Sequence, residues 1–247
     1  MSQNIISKYP SGVDDEVFKM NLKAYRTPPT TYDCLMRNHL QQEISTARDY
    51  EGRELLELIQ NADDAGADTV RIALKGERLT IANNGDKPFT IDGYASIMRS
   101  DQSTKLSPKY IGCKGLGFRS VINWASTIVI RSLLFPKSPN GIECQFSQEI
   151  AIEYYNQLKE SWGTLSENVK VFLDQIIETS GRPVPLSILA IPKVKKWVPD
   201  DSQTTQIELD VFTNAINNVK TALENLASSS FYLFLHNLRN LTIDING

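Results

Sequence analysis

The possible folds of this chain are limited most by a change of hydrophobic period in its first third. Arg48 to Ala65 repeats apolar residues at the spacing of a helix and ends before Gly66, a residue typical of the position after a helix. Thr69 to Leu74 and Arg78 to Ala82 then alternate as strands do, joined by the short loop 75–77. A helix followed directly by a hairpin predicts an α+β domain with helices packed against a sheet.

The rest of the chain predicts more elements of both kinds. We expect further strands at 127–133, 142–146, 186–191, 205–209 and 241–245. We expect helices at 92–99, 118–125, 148–159, 165–179 and 211–226, with two short helices on either side of Thr27-Pro28-Pro29-Thr30 and a polar loop at Ser100 to Tyr110. Strands that arrive in hairpins and are separated by helices favour an α/β sandwich over a doubly wound parallel sheet.

Composition excludes several classes of protein. With 247 residues, 41% apolar and 22% charged, the chain is unlike disordered, collagen-like or coiled-coil sequences. A net charge of −3 gives no electrostatic reason to expect nucleic acid or a membrane as the main partner. Three cysteines without a CxxC spacing argue against a disulfide framework and a zinc site. With no signal peptide and no apolar run long enough to span a membrane, we expect a cytoplasmic protein.

The helix Glu54 to Ala65 carries a polar stripe of defined composition. At about 100° per residue, its apolar residues fall on one side and Glu57, Asn61 and Asp64 fall on the other. Two carboxylates and an amide in one stripe suit a hydrated divalent cation with a general base beside it. Taken alone, the same stripe is also typical of a solvated helix face.

Two glycine-containing motifs follow. Asn83-Asn84-Gly85 stands directly after a predicted strand, where it fits either an ordinary turn or a close approach of backbone to a flat ligand. The segment Gly112 to Phe118 places three glycines and Lys114 before a helix, which suits anion binding by backbone N–H groups. A tightly packed loop without ligand is the alternative. The spacing matches neither the Rossmann nor the P-loop motif.

The order and spacing of these motifs resemble the GHKL (Bergerat) ATP-binding superfamily of heat-shock chaperones, gyrase, MutL and sensor histidine kinases. Residues 57–65 resemble its N-box, and their sequence, Glu-Leu-Ile-Gln-Asn-Ala-Asp-Asp-Ala, most resembles that of the sacsin-type subgroup. Residues 84–89, 111–118, 205–209 and 233–238 resemble further motifs of that subgroup. The resemblance implies a two-layer sandwich with a mixed, mostly antiparallel sheet and helices on one face. It also implies a helical extension at 1–47 and an ATP-binding domain at 48–247, the N-terminal part of a longer protein.

The resemblance also implies roles for individual residues, with ATP and Mg²⁺ as cofactors. Glu57 would orient or deprotonate the attacking water, and Asn61 would be the ligand of Mg²⁺. Residues 100–110 would form a lid. The remaining nucleotide-binding residues would be Asp64, Asn83, Gly85, Lys105, Gly112, Lys114, Gly115, Gly117, Phe118 and Thr205. Most of the superfamily has Asp where this chain has Asn83, and we expect the Asn83 carbonyl oxygen to accept from the adenine amino group in its place.

Two functions therefore compete at this stage. The first is a slow, Mg²⁺-dependent ATPase module that drives or gates a larger multidomain protein, acting on downstream domains, through dimerisation or on a client protein. The second is a nucleotide-locked switch that recruits a protein or nucleic-acid partner without hydrolysis. Glu57 favours the ATPase, because a switch does not need a base. A histidine kinase is disfavoured, because too few residues precede the N-box for a dimerisation helix pair.

Overall fold

A computed structural model describes residues 15–99, 117–199, 203–228 and 235–246 of the chain. Its helices are α1 (Asp15–Tyr25), α2 (Leu35–Asp49), α3 (Glu54–Asp64), α4 (Ile91–Met98), α5 (Gln148–Trp162), α6 (Glu167–Ser180) and α7 (Ile216–Ser228), with 3-10 helices at Gly117–Asn123 and Ile188–Ala190. Its strands are β1 (Thr69–Lys75), β2 (Arg78–Asn83), β3 (Ala125–Leu133), β4 (Gly141–Ser147), β5 (Lys193–Trp197), β6 (Thr205–Val211) and β7 (Asn240–Asn246).

The strands form one mixed sheet in the order β5-β4-β3-β6-β2-β1-β7. Strand β7 runs parallel to β1, and the other neighbouring pairs in the described part of the chain are antiparallel. This confirms the α+β class and the mixed, mostly antiparallel sheet that the sequence predicted.

The two faces of the sheet differ in chemistry. Residues paired in register point to the same face, and one such row is apolar across the whole sheet: Val194, Cys144, Ile130, Ile207, Ile81, Ile72 and Ile243. The opposite face carries charge. There Arg131 lies between Glu143 and Glu208, with its guanidinium nitrogens 2.6 Å and 3.0 Å from their carboxylate oxygens. The apolar face is therefore the one that packs against the helices.

Two apolar clusters lie among the helices. The larger cluster joins the apolar face of the sheet to α3, α4, α7 and the 3-10 helix Gly117–Asn123. The smaller one lies between α2, α5, α6 and the segment 184–191. Within the described ranges, no helix is long and apolar enough to cross a membrane.

The predicted strand at 186–191 is wrong, because its backbone N–H groups find a carboxylate instead of a neighbouring strand. Glu43 of α2 is fully buried, and it accepts hydrogen bonds from the backbone N–H groups of Ile188 and Leu189 at 3.1 Å and 3.0 Å. These bonds hold a 3-10 turn in place. The strand of this region is β5, which the sequence pattern missed because three of its five residues are lysines.

Three element boundaries also differ from the sequence prediction. Helix α3 begins at Glu54, because Gly52 adopts a positive φ of 80° and separates α3 from α2. The predicted helix at 118–125 is the 3-10 helix Gly117–Asn123. The helix expected from Val211 begins at Ile216, because Val211 still pairs within the sheet as the last residue of β6.

Candidate functional site

A cavity of about 250 Å³ lies between α3, α4 and the ends of β2 and β6. The sequence motifs that contribute to its lining are separated along the chain: Asn61 of α3, Asn83 and Lys87 around the turn after β2, Phe118 after the glycine segment, and Thr205 of β6. Apolar side chains complete the wall. The volume is slightly below the range of about 300–1,000 Å³ usual for ligand pockets, and so it suits one flat group with a few polar contacts.

Glu57 lies against Gly117 at the N-terminal end of this site. A Cβ atom at residue 117 would be 2.7 Å from Cγ of Glu57, and closer still to its carboxyl group. Any side chain at residue 117 would therefore displace the carboxyl group of Glu57 from its place beside α3 and the 3-10 helix. The fold thus brings α3 and Gly117, the last glycine of the 112–117 segment, into direct contact.

Arg119 anchors the 3-10 helix Gly117–Asn123 to α4. Its side chain is fully buried, and one guanidinium nitrogen donates to the carbonyl oxygens of Ser96 and Arg99 at 2.9 Å and 2.8 Å. These carbonyls lie at the C-terminal end of α4, where a helix leaves acceptors without intrahelical partners. Arg119 thus fixes Gly117 and Phe118 relative to α4, one wall of the cavity.

The carboxyl group of Glu57 is in an environment that suits a proton acceptor. Burial raises its pKa above the usual glutamate value, and the positive charge of Arg53 opposes this rise. The guanidinium of Arg53 is 3.4 Å from Oε1 of Glu57, but the Arg53 side chain is more than half exposed, so solvent weakens the pair. A carboxylate with a raised pKa is a stronger base than an ordinary one.

Asn61 is the predicted metal ligand, and it lies one turn after Glu57 on the cavity wall. No group of three or more His, Cys, Asp or Glu side chains in the described ranges could hold a metal ion. A Mg²⁺ ion at Asn61 would therefore take its other ligands from phosphate oxygens and water, which is common for Mg²⁺ in nucleotide sites. The donor set fits an ion that arrives with a nucleotide.

The turn after β2 is fixed by several hydrogen bonds. The side-chain oxygen of Asn83 accepts from the backbone N–H of Gly85 at 3.1 Å. The backbone N–H of Lys87 donates to the carbonyl oxygen of Ala65 at 3.1 Å. A Cβ at residue 85 would lie 2.7 Å from that same oxygen, so the turn can approach the end of α3 only with glycine here. The sequence predicts that the Asn83 oxygen faces a ligand; in the fold this oxygen already accepts one hydrogen bond, from Gly85.

Thr205 lies beside Asn83 in the β2–β6 register. Its hydroxyl oxygen is 3.1 Å from the hydroxyl oxygen of Ser132, which in turn accepts from the backbone N–H of Phe89 at 2.8 Å. Asn83 and Thr205 therefore form adjacent polar groups on the floor of a mostly apolar cavity.

Asp64 and Asp63 have different surroundings. Asp64 is half-buried and is not part of the cavity lining, and its backbone carbonyl accepts from Nζ of Lys87 at 3.2 Å. Asp63 is buried, and its carboxylate accepts from the backbone N–H groups of residues 236, 237 and 238 at 2.7–3.0 Å. The sequence did not single out Asp63 or Lys87. The sequence signal that could have identified Asp63 as buried is its position toward the apolar side of the helix.

Four predicted nucleotide-binding residues, Lys105, Gly112, Lys114 and Gly115, lie outside the described residues, as does the predicted lid at 100–110. Among the other predicted site residues, Asn61, Asn83, Phe118 and Thr205 line the cavity, whereas Glu57, Asp64, Gly85 and Gly117 are not part of its lining.

Comparisons with known proteins give little further information. No family model matches the sequence, and no curated protein matches it. The fold is similar to a crystal structure of the N-terminal domain of a DNA repair protein, with 13% sequence identity and a TM-score of 0.42. The similarity covers 76% of this chain and 44% of that one, so the chain spans less than half the length of that protein. At this level the similarity supports no conclusion about function.

Proposed function

We propose that this chain binds Mg²⁺ and ATP and hydrolyses ATP slowly, as a GHKL-type ATPase module, closest to the sacsin subgroup, that drives or gates a larger multidomain protein. The observation that carries the proposal is the convergence of separate motifs on one cavity. Asn61, Asn83 and Thr205 line it, and Gly117 lies against Glu57 at its end. These are the motifs whose order and spacing resemble that superfamily.

The lining supports recognition of a purine base. Leu58, Ile97 and Phe118 supply apolar surface for a flat ring, and Asn83 and Thr205 supply polar groups for its edge. Because the cavity is small, the phosphate groups of a nucleotide have to extend beyond it. Asn61 of α3 and Lys87 of the turn after β2 line the cavity and can meet such groups.

Glu57 supports hydrolysis in addition to binding. Its raised pKa and its contact with Gly117 give a desolvated carboxylate that can hold a water molecule and take its proton. When bound with the nucleotide, Mg²⁺ would neutralise charge on the phosphates. The residue that would hold the ion is Asn61.

The binding part of the proposal is tested by titration calorimetry with ATP in the presence and absence of Mg²⁺. We expect Mg²⁺ to strengthen ATP binding by the unmodified chain. In Asn61→Ala this gain should fall by about tenfold, because one ligand of the ion is lost. The control is Gln60→Ala, which removes a neighbouring amide that is exposed on the same helix.

Two results would contradict the proposal. One is the absence of ATP and ADP binding at millimolar nucleotide. The other is a Mg²⁺ dependence in Asn61→Ala equal to that of the Gln60→Ala control, which would remove Asn61 from the metal site.

A further inference from the structure

The orientation of the Asn83 amide is fixed by the backbone beside it. Asn83 is the last residue of β2 and is 9% exposed. The backbone N–H of Gly85 can donate only to an oxygen, so the atom 3.1 Å from it is Oδ1 and the other end of the amide is Nδ2. The turn therefore settles which end of the amide is Nδ2, and Oδ1 already holds one of the two hydrogen bonds that it can accept.

Nδ2 of Asn83 has no hydrogen-bond partner in the described part of the chain, although Asn83 is more than nine-tenths buried and lines the cavity. A ligand that covers this N–H donor without accepting from it leaves the donor unsatisfied, which is unfavourable. A ligand atom that accepts a hydrogen bond would satisfy it, whereas a ligand amino group would place donor against donor.

The neighbouring hydroxyl groups can supply a second donor. The Ser132 hydroxyl oxygen accepts from the backbone N–H of Phe89 and lies 3.1 Å from the Thr205 hydroxyl oxygen and 3.4 Å from the carbonyl oxygen of Thr204. When Ser132 donates to Thr205, the Thr205 proton can turn to the cavity; when Ser132 donates to the Thr204 carbonyl, Thr205 can donate to Ser132. The cavity floor thus offers the Asn83 N–H donor beside a hydroxyl group that can also donate.

We propose that Asn83 is a specificity-determining residue that donates to an acceptor on the purine ring, so that the site reads a ring nitrogen or a 6-oxo group and does not require the 6-amino group. This inference rests on the proposed nucleotide binding. It assigns the ligand class as purine nucleoside triphosphates, including 6-oxopurines, and not adenine nucleotides alone. An aspartate at this position would accept from Gly85 with one oxygen and offer the other to an amino group.

The two ligands to compare are ATP and inosine triphosphate. They differ only at position 6 of the purine and in the protonation of the adjacent ring nitrogen, and neither carries the extra amino group of guanine. We expect the unmodified chain to bind the two with affinities equal within about threefold, a difference smaller than one hydrogen bond provides. In Asn83→Asp we expect ATP to be favoured by about tenfold or more, because the keto group then faces a carboxylate. The near-identical shape of Asp and its retained bond to Gly85 keep the turn intact, which a thermal melt checks.

The outcomes separate the two proposals. If the unmodified chain favours ATP over inosine triphosphate by tenfold or more, the donor role of Asn83 is overturned while nucleotide binding stands. The donor role is also overturned if Asn83→Asp leaves the ratio of the two affinities unchanged. If neither triphosphate binds, the proposed function fails and this inference fails with it. Should Asn83→Asp not fold, the ratio measured on the unmodified chain alone decides.

Discussion

The first and last turns of α3 each carry a buried carboxylate, and the two carboxylates differ in their hydrogen-bond partners. Glu54 is 1% exposed, and neither of its oxygens has a hydrogen-bond partner in the described part of the chain. Its burial raises its pKa, an effect that the nearby backbone and the Asn123 amide reduce only in part. Asp63 is 4% exposed. Burial acts to raise its pKa too, but hydrogen bonds from three backbone N–H groups lower the pKa overall.

The difference shows that one helix serves two purposes. At its C-terminal end, Asp63 and the side chain of Asn237, which donates to the Asp63 carbonyl oxygen at 2.8 Å, tie the segment before β7 to α3. At its N-terminal end, burial raises the pKa of both Glu54 and Glu57, and Glu57 lies against Gly117. A buried carboxylate with a raised pKa is a stronger base, and its burial lowers the stability of the fold.

The largest expected effect lies at the N-terminal end. Glu57→Gln should reduce phosphate release at saturating Mg²⁺ and ATP by about 10²–10⁴-fold, since it removes the base. ATP affinity should be retained. Because the Glu57 pKa is raised, activity of the unmodified chain should fall as the pH drops through a value above the usual glutamate pKa of about 4.3.

Glu51→Gln, an exposed residue just before α3, is the matched control for this measurement. Equal turnover in Glu57→Gln and the control would remove Glu57 from catalysis. Tight ATP binding without turnover in the unmodified chain or a longer one would favour the nucleotide-locked switch.

The next effect lies at the C-terminal end, and it concerns stability. Asp63→Ala should lower the free energy of unfolding by about 3 kcal/mol, because backbone donors lose a charged acceptor. Asp49→Ala, an exposed aspartate on α2, should change it little. Denaturant unfolding measures both.

The pH dependence of this loss tests its cause. The pKa of Asp63 is lower in the folded chain, so its contribution is complete above the unfolded-state value of about 3.9 and disappears as the pH falls through the folded-state value. The difference between Asp63→Ala and the unmodified chain should therefore shrink in acid. A difference that is independent of pH would show that packing, and not charge, accounts for the loss.

The smallest expected effect is an increase in stability, whereas the previous variant loses stability. Glu54→Gln should raise Tm by about 2 °C at pH 8, because glutamine resembles the protonated acid that the folded state prefers. With a raised folded-state pKa, Glu54 supports folding fully below its unfolded-state pKa and loses this contribution as the pH rises through the folded-state value. The gain should vanish near pH 4, and thermal melts would reveal it, with Glu160→Gln, an exposed residue of α5, as the control. A loss of stability at pH 8 would indicate that Glu54 has a partner in the ionised state.

Local pattern determined much of the fold. The hairpin of β1 and β2 lies within one residue of its predicted bounds. Both the alternation of apolar residues in its strands and the helical period of α3 before it are set by residues that are close together in sequence, so the local pattern is sufficient to predict them. The segment 186–191 shows the limit of such patterns. It has the composition of a strand, but Glu43, which is 144 residues away from Ser187 in sequence, accepts the hydrogen bonds that a neighbouring strand would have provided.

The candidate site divides in the same way. The sequence alone placed Glu57 and Asn61 on one face of α3, because helical geometry fixes residues four apart. Asp63 and Asp64 are chemically identical neighbours, and helical rotation alone could not say that residues 236–238 would come to bind the first of them. Likewise, the residue type of Asn83 allowed either end of its amide to face a ligand. Tertiary structure decided these points, because burial and hydrogen-bond partners come from chain segments whose position no local pattern encodes.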